Sequence, residues 1–352
     1  MADTVYSIIR PMGLAGLLDR AISLYRQNFI KFIGIIAIPF IPLMVIQTGL
    51  TLVSTTSLAE RLSTYTNSSN PLDLFTPSVV GAYLGSILFL VLNFIFVQGL
   101  ASAALTRAVA NNYVGKPVEI LESYRSLSNS WGRLVIALLA VGILIILLIL
   151  WTIIPCIGTF TGPGLVSFVT FIVSPLLIPV VVLEKKDIFG SIRRAWDLAR
   201  SRFWWLVGYA VVITLLGQLI VSGPVFLINL LLQTLLSVIP GGFNQQMIVT
   251  TIIQNLVAIF TSLLYLPLQL TFMTVIYFDL RARSEGLDLA LQTSTFIEES
   301  SESRDLPEIA QQSGAPIFTS LDLGRFALLS LAIVAVYALL FGAVMLLGLS
   351  LT

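Results

Sequence analysis

Residues 133–155 read RLVIALLAVGILIILLILWTIIP, an apolar run that follows a single arginine. A helix needs about 20 apolar residues to cross the hydrocarbon core of a bilayer, and there only a helix or a closed barrel satisfies its own backbone polar groups. Six more runs of this kind lie at about 29–54, 79–106, 164–183, 203–238, 246–279 and 322–350. The fold class is therefore an all-α polytopic transmembrane helix bundle. The fifth and sixth runs are long enough to tilt, kink or emerge from the bilayer.

Composition agrees and narrows the chemistry. Of 352 residues 57% are hydrophobic and 11% charged, the net charge is +1 and the mean hydropathy is +0.97. A soluble domain of this length cannot hide that much apolar surface. Histidine is absent and Cys156 is the single cysteine. That excludes His-ligated metals, His general bases, CxxC redox pairs and disulfide frameworks. No catalytic residue, cofactor or metal is expected, and no nucleic-acid partner. The first apolar run begins near Phe29 and exceeds a signal h-region, so no cleaved signal is expected and the chain is read as remaining whole.

Charge sets the expected orientation. Of 19 Lys+Arg residues only Arg61 falls in a segment that alternating topology puts outside. The positive-inside rule then places the N-terminus in the cytoplasm, and an odd number of spans places Thr352 outside. The expected location is a bacterial or archaeal cytoplasmic membrane.

Stretches before the odd-numbered spans carry apolar residues at helical spacing. Ile188, Ile192, Trp196, Ala199 and Phe203 recur at three- or four-residue steps among Arg193, Arg194, Asp197, Arg200 and Arg202. Such a pattern predicts a basic amphipathic helix at the membrane surface. Leu14, Leu17, Leu18, Ala21, Leu24 and Tyr25 repeat it before the first span, and Pro117 to Trp131 is a weaker copy. Arg20, Ala21, Leu24, Arg26, Phe29 and Gly34 recur as Arg194, Ala195, Leu198, Arg200, Phe203 and Gly208, all offset by 174 residues. Gln98 and Gly115 recur as Gln269 and Gly286 at an offset of 171. Residues 12–290 are accordingly read as three repeated hairpins, each entered from a cytoplasmic amphipathic helix.

Three ordered motifs carry a family resemblance. They are Arg10-Pro11-Met12-Gly13-Leu14 with Leu18-Asp19-Arg20-Ala21 and Leu24 to Phe29; Ser191-Ile192-Arg193-Arg194-Ala195-Trp196-Asp197-Leu198 with Arg202-Phe203-Trp204; and Tyr277-Phe278-Asp279-Leu280-Arg281-Ala282-Arg283-Ser284-Glu285-Gly286-Leu287-Asp288-Leu289. Over about residues 8–290 the chain resembles the glycerophosphodiester phosphodiesterase membrane-domain family. The resemblance implies a six-span membrane module, which some relatives fuse to a phosphodiesterase barrel. That barrel relies on histidines and an acidic metal cluster, so its activity does not carry over to a chain without histidine. A seventh span departs from the family pattern.

Candidate sites follow from charge and polarity. Asp279, Arg281 and Arg283 crowd the exit of span six and read either as a lipid-headgroup or partner site or as a helix-end anchor. Arg193, Arg194, Arg200 and Arg202 read either as ligands for anionic lipid phosphates or as interfacial anchors. Trp196, Trp204 and Trp205 read as an aromatic belt. Within the spans the polar residues are neutral, including Asn93, Gln98, Gln218, Asn229, Gln233, Gln254, Asn255 and Gln269. They read as interhelical hydrogen-bond glue or as the lining of a pathway, with Gln98 and Gln269 as a repeat-related pair. Pro39, Pro42, Pro175, Pro179, Pro224 and Pro267 are expected to kink their spans. Pro155, Cys156, Gly158, Gly162, Pro163 and Gly164 read as one turn, and Pro240-Gly241-Gly242 as the next.

Three segments result: a six-span module over 1–290, a flexible acidic cytoplasmic linker over 291–320, and a C-terminal transmembrane helix over 321–352. Ala335, Ala338 and Gly342 put small residues on one face of the last helix, a surface for the bundle or a second protomer. The function expected is a non-enzymatic module that binds or organises membrane lipids, anionic ones among them, or protein partners, or that self-associates. The alternative is a transporter or channel for a neutral or lipidic substrate.

Overall fold

The structure is a computed structural model that describes residues 12–65, 77–113, 117–128, 130–155, 157–184, 186–236, 243–285 and 319–350. Among the described residues every regular element is helical. Among the described residues seven helices are long and apolar enough to cross a membrane: Phe29–Thr56, Tyr83–Asn112, Trp131–Thr152, Ile157–Glu184, Phe203–Leu235, Gln245–Ser284 and Ser320–Leu339. They are spans 1 to 7, and each overlaps one of the apolar runs. The linker up to residue 318, Cys156 and Pro240-Gly241-Gly242 lie outside the described residues.

The start of span 4 differs from the sequence reading. Gly162, Pro163 and Gly164 were expected in a turn, yet they are helical within Ile157–Phe168. Close packing explains it. A Cβ on Gly162 would stand 3.0 Å from the Thr152 Cα, and one on Gly158 would meet the Trp151 carbonyl. Two glycines one turn apart let the helix begin directly against the end of span 3.

Among the described residues three stretches wind as π-helix: Phe94–Ala101, Val169–Val173 and Gln218–Ser222. The second and third end two residues before Pro175 and Pro224. A proline has no N–H for the i−4 carbonyl, so the ladder is already interrupted there and a wider turn costs little. The prolines thus widen the helix locally, and the spans run on through them. Phe94–Ala101 contains no proline and is followed by none. There the Ser102 hydroxyl donates to the Gln98 carbonyl and, at 3.1 Å, to that of Gly99. Such back-bonding perturbs the i→i−4 ladder.

The chain divides into two compact units. The first comprises Met1–Trp131 and Val211–Asp279. In it helix Leu14–Gln27 buries Leu17, Ala21, Leu24 and Tyr25 and leaves Asp19 and Arg26 exposed. The Tyr25 hydroxyl donates to the Leu264 carbonyl of span 6 at 2.8 Å. Burial pushes this phenol up to about 12, so it remains a donor at neutral pH. Tyr124, whose hydroxyl is also raised by burial, ties helix Ile120–Arg125 to the Ile35 carbonyl of span 1. Tyr25→Phe is expected to lower stability by about 1 kcal/mol, the worth of one such bond, in thermal unfolding of the solubilised protein. An unchanged melting temperature would remove the docking role.

The second unit comprises Gly132–Ala210 and Leu280–Thr352. Its centre is a knot of four rings: Phe168 of span 4 stacks on Phe203 at 4.7 Å and meets Phe326 at 5.5 Å and Trp196 at 5.8 Å. Trp196 therefore belongs to the core, and Trp204 is left half exposed. Span 7 packs along Ile157–Phe168, where the Gly164 amide donates to Ser330 Oγ at 2.7 Å. Ala335 and Ala338, further along span 7, are exposed.

Candidate functional site

In the first unit spans 1, 2 and 6 part at their central segments around a cavity of about 230 Å³. One half of its lining is polar: Gln47 and Thr48 from span 1, Asn93 and Gln98 from span 2, Asn255 and Ser262 from span 6. The other half is apolar, with Phe40, Met44, Val97, Ala258, Ile259 and Leu266. None of these twelve side chains is ionisable.

The local sequence explains the opening. Pro39 and Pro42 lie inside span 1, eight and five residues before Gln47. The π-stretch Phe94–Ala101 carries Val97 and Gln98. An extra residue in one helical turn rotates the following side chains, and such bulges recur at functional sites. Gln98 is exposed, so the cavity is open on its side. Gln47 Oε1 is fully buried and has no hydrogen-bond partner in the structure.

Of the amides noted in the sequence, three meet here, namely Asn93, Gln98 and Asn255. Gln269 is not in the lining, so the cavity does not bring it together with Gln98. Gln218 is occupied locally, where Ser222 Oγ donates to its Oε1 at 2.7 Å. Gln47 sits amid threonines and aliphatic residues, which do not set it apart in the linear sequence. Its signal was an unbranched amide within a turn or two of a proline pair.

The basic candidates have divergent environments. Arg194 is buried in helix Ile188–Ser201, and its Nε donates to both oxygens of Glu184 at 3.2 Å. Glu184 also takes Lys186 at 3.4 Å and the buried Arg281 at 3.9 Å. Arg200 bonds Asp322 at the start of span 7 at 3.1 Å. Arg193 is half exposed beside Asp197 at 4.0 Å, and Arg202 lies over the Trp205 ring at 5.4 Å. Arg283 is exposed. Asp279 is buried and accepts the Met12 amide at 3.0 Å. Sequence spacing had put Arg194 on the polar face of its helix. The compensating Glu184 lies ten residues earlier, in span 4, where no helical periodicity links it to Arg194. Among the described residues no three His, Cys, Asp or Glu side chains form a metal-binding group.

Seven apolar membrane-length helices with charges only near their ends define a multi-pass integral membrane protein. Residues 164–308 match the family model for the membrane domain of glycerophosphoryl diester phosphodiesterase, the family that the three motifs resemble. The match covers the motif around Ser191–Trp204 and the one at Tyr277–Leu289, and it includes no catalytic domain. No curated protein and no solved structure matches this chain.

Proposed function

We propose that this protein is a non-enzymatic membrane module that takes up a lipid from the bilayer into the cavity of its first unit. The observation that carries the reading is the cavity itself: open at Gln98, half apolar and half amide and hydroxyl, in the middle of three spans. A fully apolar opening would suit acyl chains alone, and a charged one would suit ions.

The same reading takes the N-terminus as cytoplasmic and Thr352 as outside, in a bacterial or archaeal cytoplasmic membrane. Anionic lipid headgroups or a protein partner gather at the basic face. Arg193, Arg202 and Arg283 are its more accessible members, while Arg194, Arg200, Asp279 and Arg281 hold helices together. The three-hairpin repeat is supported by equivalent burial, since Ala21 and Ala195, like Leu24 and Leu198, are each buried. A second reading, passage of a lipid or neutral solute through the cavity, draws support from the proline-free π-stretch beside Gln98.

The test is to plug the cavity. Ala258→Trp should cut the lipid that stays with the detergent-purified protein, read by mass spectrometry, at least several-fold. Leu215→Trp, on an exposed position of span 5, should leave it unchanged. Equal lipid retention in both variants would overturn the reading.

A further inference from the structure

We infer that two copies of this chain associate in the membrane through span 5, with the carboxamide of Gln218 in one copy bonded to the same group in the other. The inference is independent of the cavity and goes beyond lipid uptake. Three observations carry it: where span 5 is polar, how deep that polarity lies and what can meet it there.

Span 5 has a face packed within the chain and a face turned outward. On the packed side Ile213 is buried, its carbonyl accepts the Tyr265 hydroxyl of span 6 at 2.6 Å, and a Cβ on Gly217 would stand 2.8 Å from the Tyr265 ring. Thr214, Gln218 and Ser222, spaced every four residues, are exposed. In an α-helix that spacing drifts round the axis. Gln218–Ser222 winds as π-helix, whose wider turn keeps residues four apart closer to one line. The Ser222 hydroxyl accordingly donates to Gln218 Oε1 at 2.7 Å. A short polar strip results, with Val211, Leu215 and Leu219 exposed around it.

Depth decides what the strip can meet. Gln218 lies 15 residues after Phe203 and 17 before Leu235, near the middle of the span. At about 1.5 Å per residue, either end is more than roughly 20 Å away, beyond the reach of a glutamine side chain. Hydrocarbon at that depth offers neither water nor a headgroup to the two N–H donors of the carboxamide. A polar side chain from another helix can supply the partner. Copies of one chain insert in the same sense, so two of them pair about an axis along the membrane normal and each residue on that axis meets its own counterpart at its own depth. A carboxamide is donor and acceptor at once and is therefore complementary to itself. A strip of one charge in the same place would repel its copy.

The test uses the purified full chain alone, labelled with one fluorophore per copy and reconstituted in phosphatidylcholine vesicles over a range of protein densities. Single-molecule photobleaching counts the copies. Two-step bleaching should dominate at high density. Gln218→Leu should raise the density at which half the copies are paired by about three- to twenty-fold, the range spanned by hydrogen bonds between membrane helices. Gln218→Asn, which keeps an amide, should lose less. Thermal unfolding in detergent should not separate Gln218→Leu from the unsubstituted protein, because the bond from Ser222 is local to span 5. In a Cys156→Ser background, Val211→Cys should cross-link between copies, and Ile146→Cys, at an exposed position of span 3, should not. Single-step bleaching at every density would overturn the inference. So would pairing that Gln218→Leu leaves unchanged, or cross-linking by Ile146→Cys in place of Val211→Cys, since either puts the contact on another face.

Discussion

Glu184→Ala should destabilise the protein by about 3–5 kcal/mol, the usual cost of stripping one partner from a buried ion pair. The Glu184 and Arg194 side chains are only 6% and 8% exposed, and Arg281, at 5%, shares the same carboxylate. Removing the carboxylate leaves two guanidinium groups desolvated at the end of span 4. Helix Ile188–Ser201 then loses the contact that holds its arginine inward, and the ring knot around Trp196 loosens with it. Glu184→Gln, which keeps the shape and loses the charge, should fall between. The double variant Glu184→Met with Arg194→Met should recover part of the loss, because the pair is replaced by apolar volume. Thermal unfolding in one detergent reads all three. Melting temperatures for Glu184→Ala and the unsubstituted protein that agree would show the cluster to be energetically idle.

The second large effect is expected from Gly164→Leu, which should release span 7 from span 4. A Cβ at this position would lie 2.9 Å from the Ser330 amide nitrogen and 2.8 Å from its Oγ, and closer still to the Phe326 carbonyl. Backbone atoms cannot turn aside as a side chain can, so the helices must separate. Overpacking costs about 1–3 kcal/mol, and the Gly164–Ser330 hydrogen bond adds about 1 more. What remains on span 7 is the polar anchor at its start. There Thr319 and Asp322 cap one another, and Arg200 bonds the same carboxylate. A protease site introduced between residues 300 and 310 gives the readout. After cleavage the C-terminal fragment should copurify with the remainder of the unsubstituted protein and be lost from Gly164→Leu. Retention in both would mean that the anchor and the Phe326 ring contacts suffice.

Both variants probe features that the linear sequence conceals. Gly164 read as part of a turn because Gly-Pro-Gly is a common breaker, yet its role is to let two helices approach. Asp322 is a lone acid at the start of an apolar run, and its partner Arg200 lies 122 residues away. The cavity is similar. Asn93, Gln98 and Asn255 were visible as polar residues within spans, but nothing in their spacing said that they face one opening while Gln269 does not.

What the sequence by itself determined is the number of membrane-length helices, their order, the positions of the two helices at Leu14–Gln27 and Ile188–Ser201, and the family motifs. These are local properties: hydropathy over some 20 residues, apolar spacing near 3.6, and short ordered motifs each register within one stretch of chain. Only the tertiary structure decided that Glu184 neutralises Arg194, that span 7 lies on span 4, and which amides share a cavity with Gln47. Each of those outcomes depends on the rotation and crossing of helices far apart in the chain. In a membrane that packing is governed by close backbone approach and polar pairing, which hydropathy along one stretch of chain does not encode.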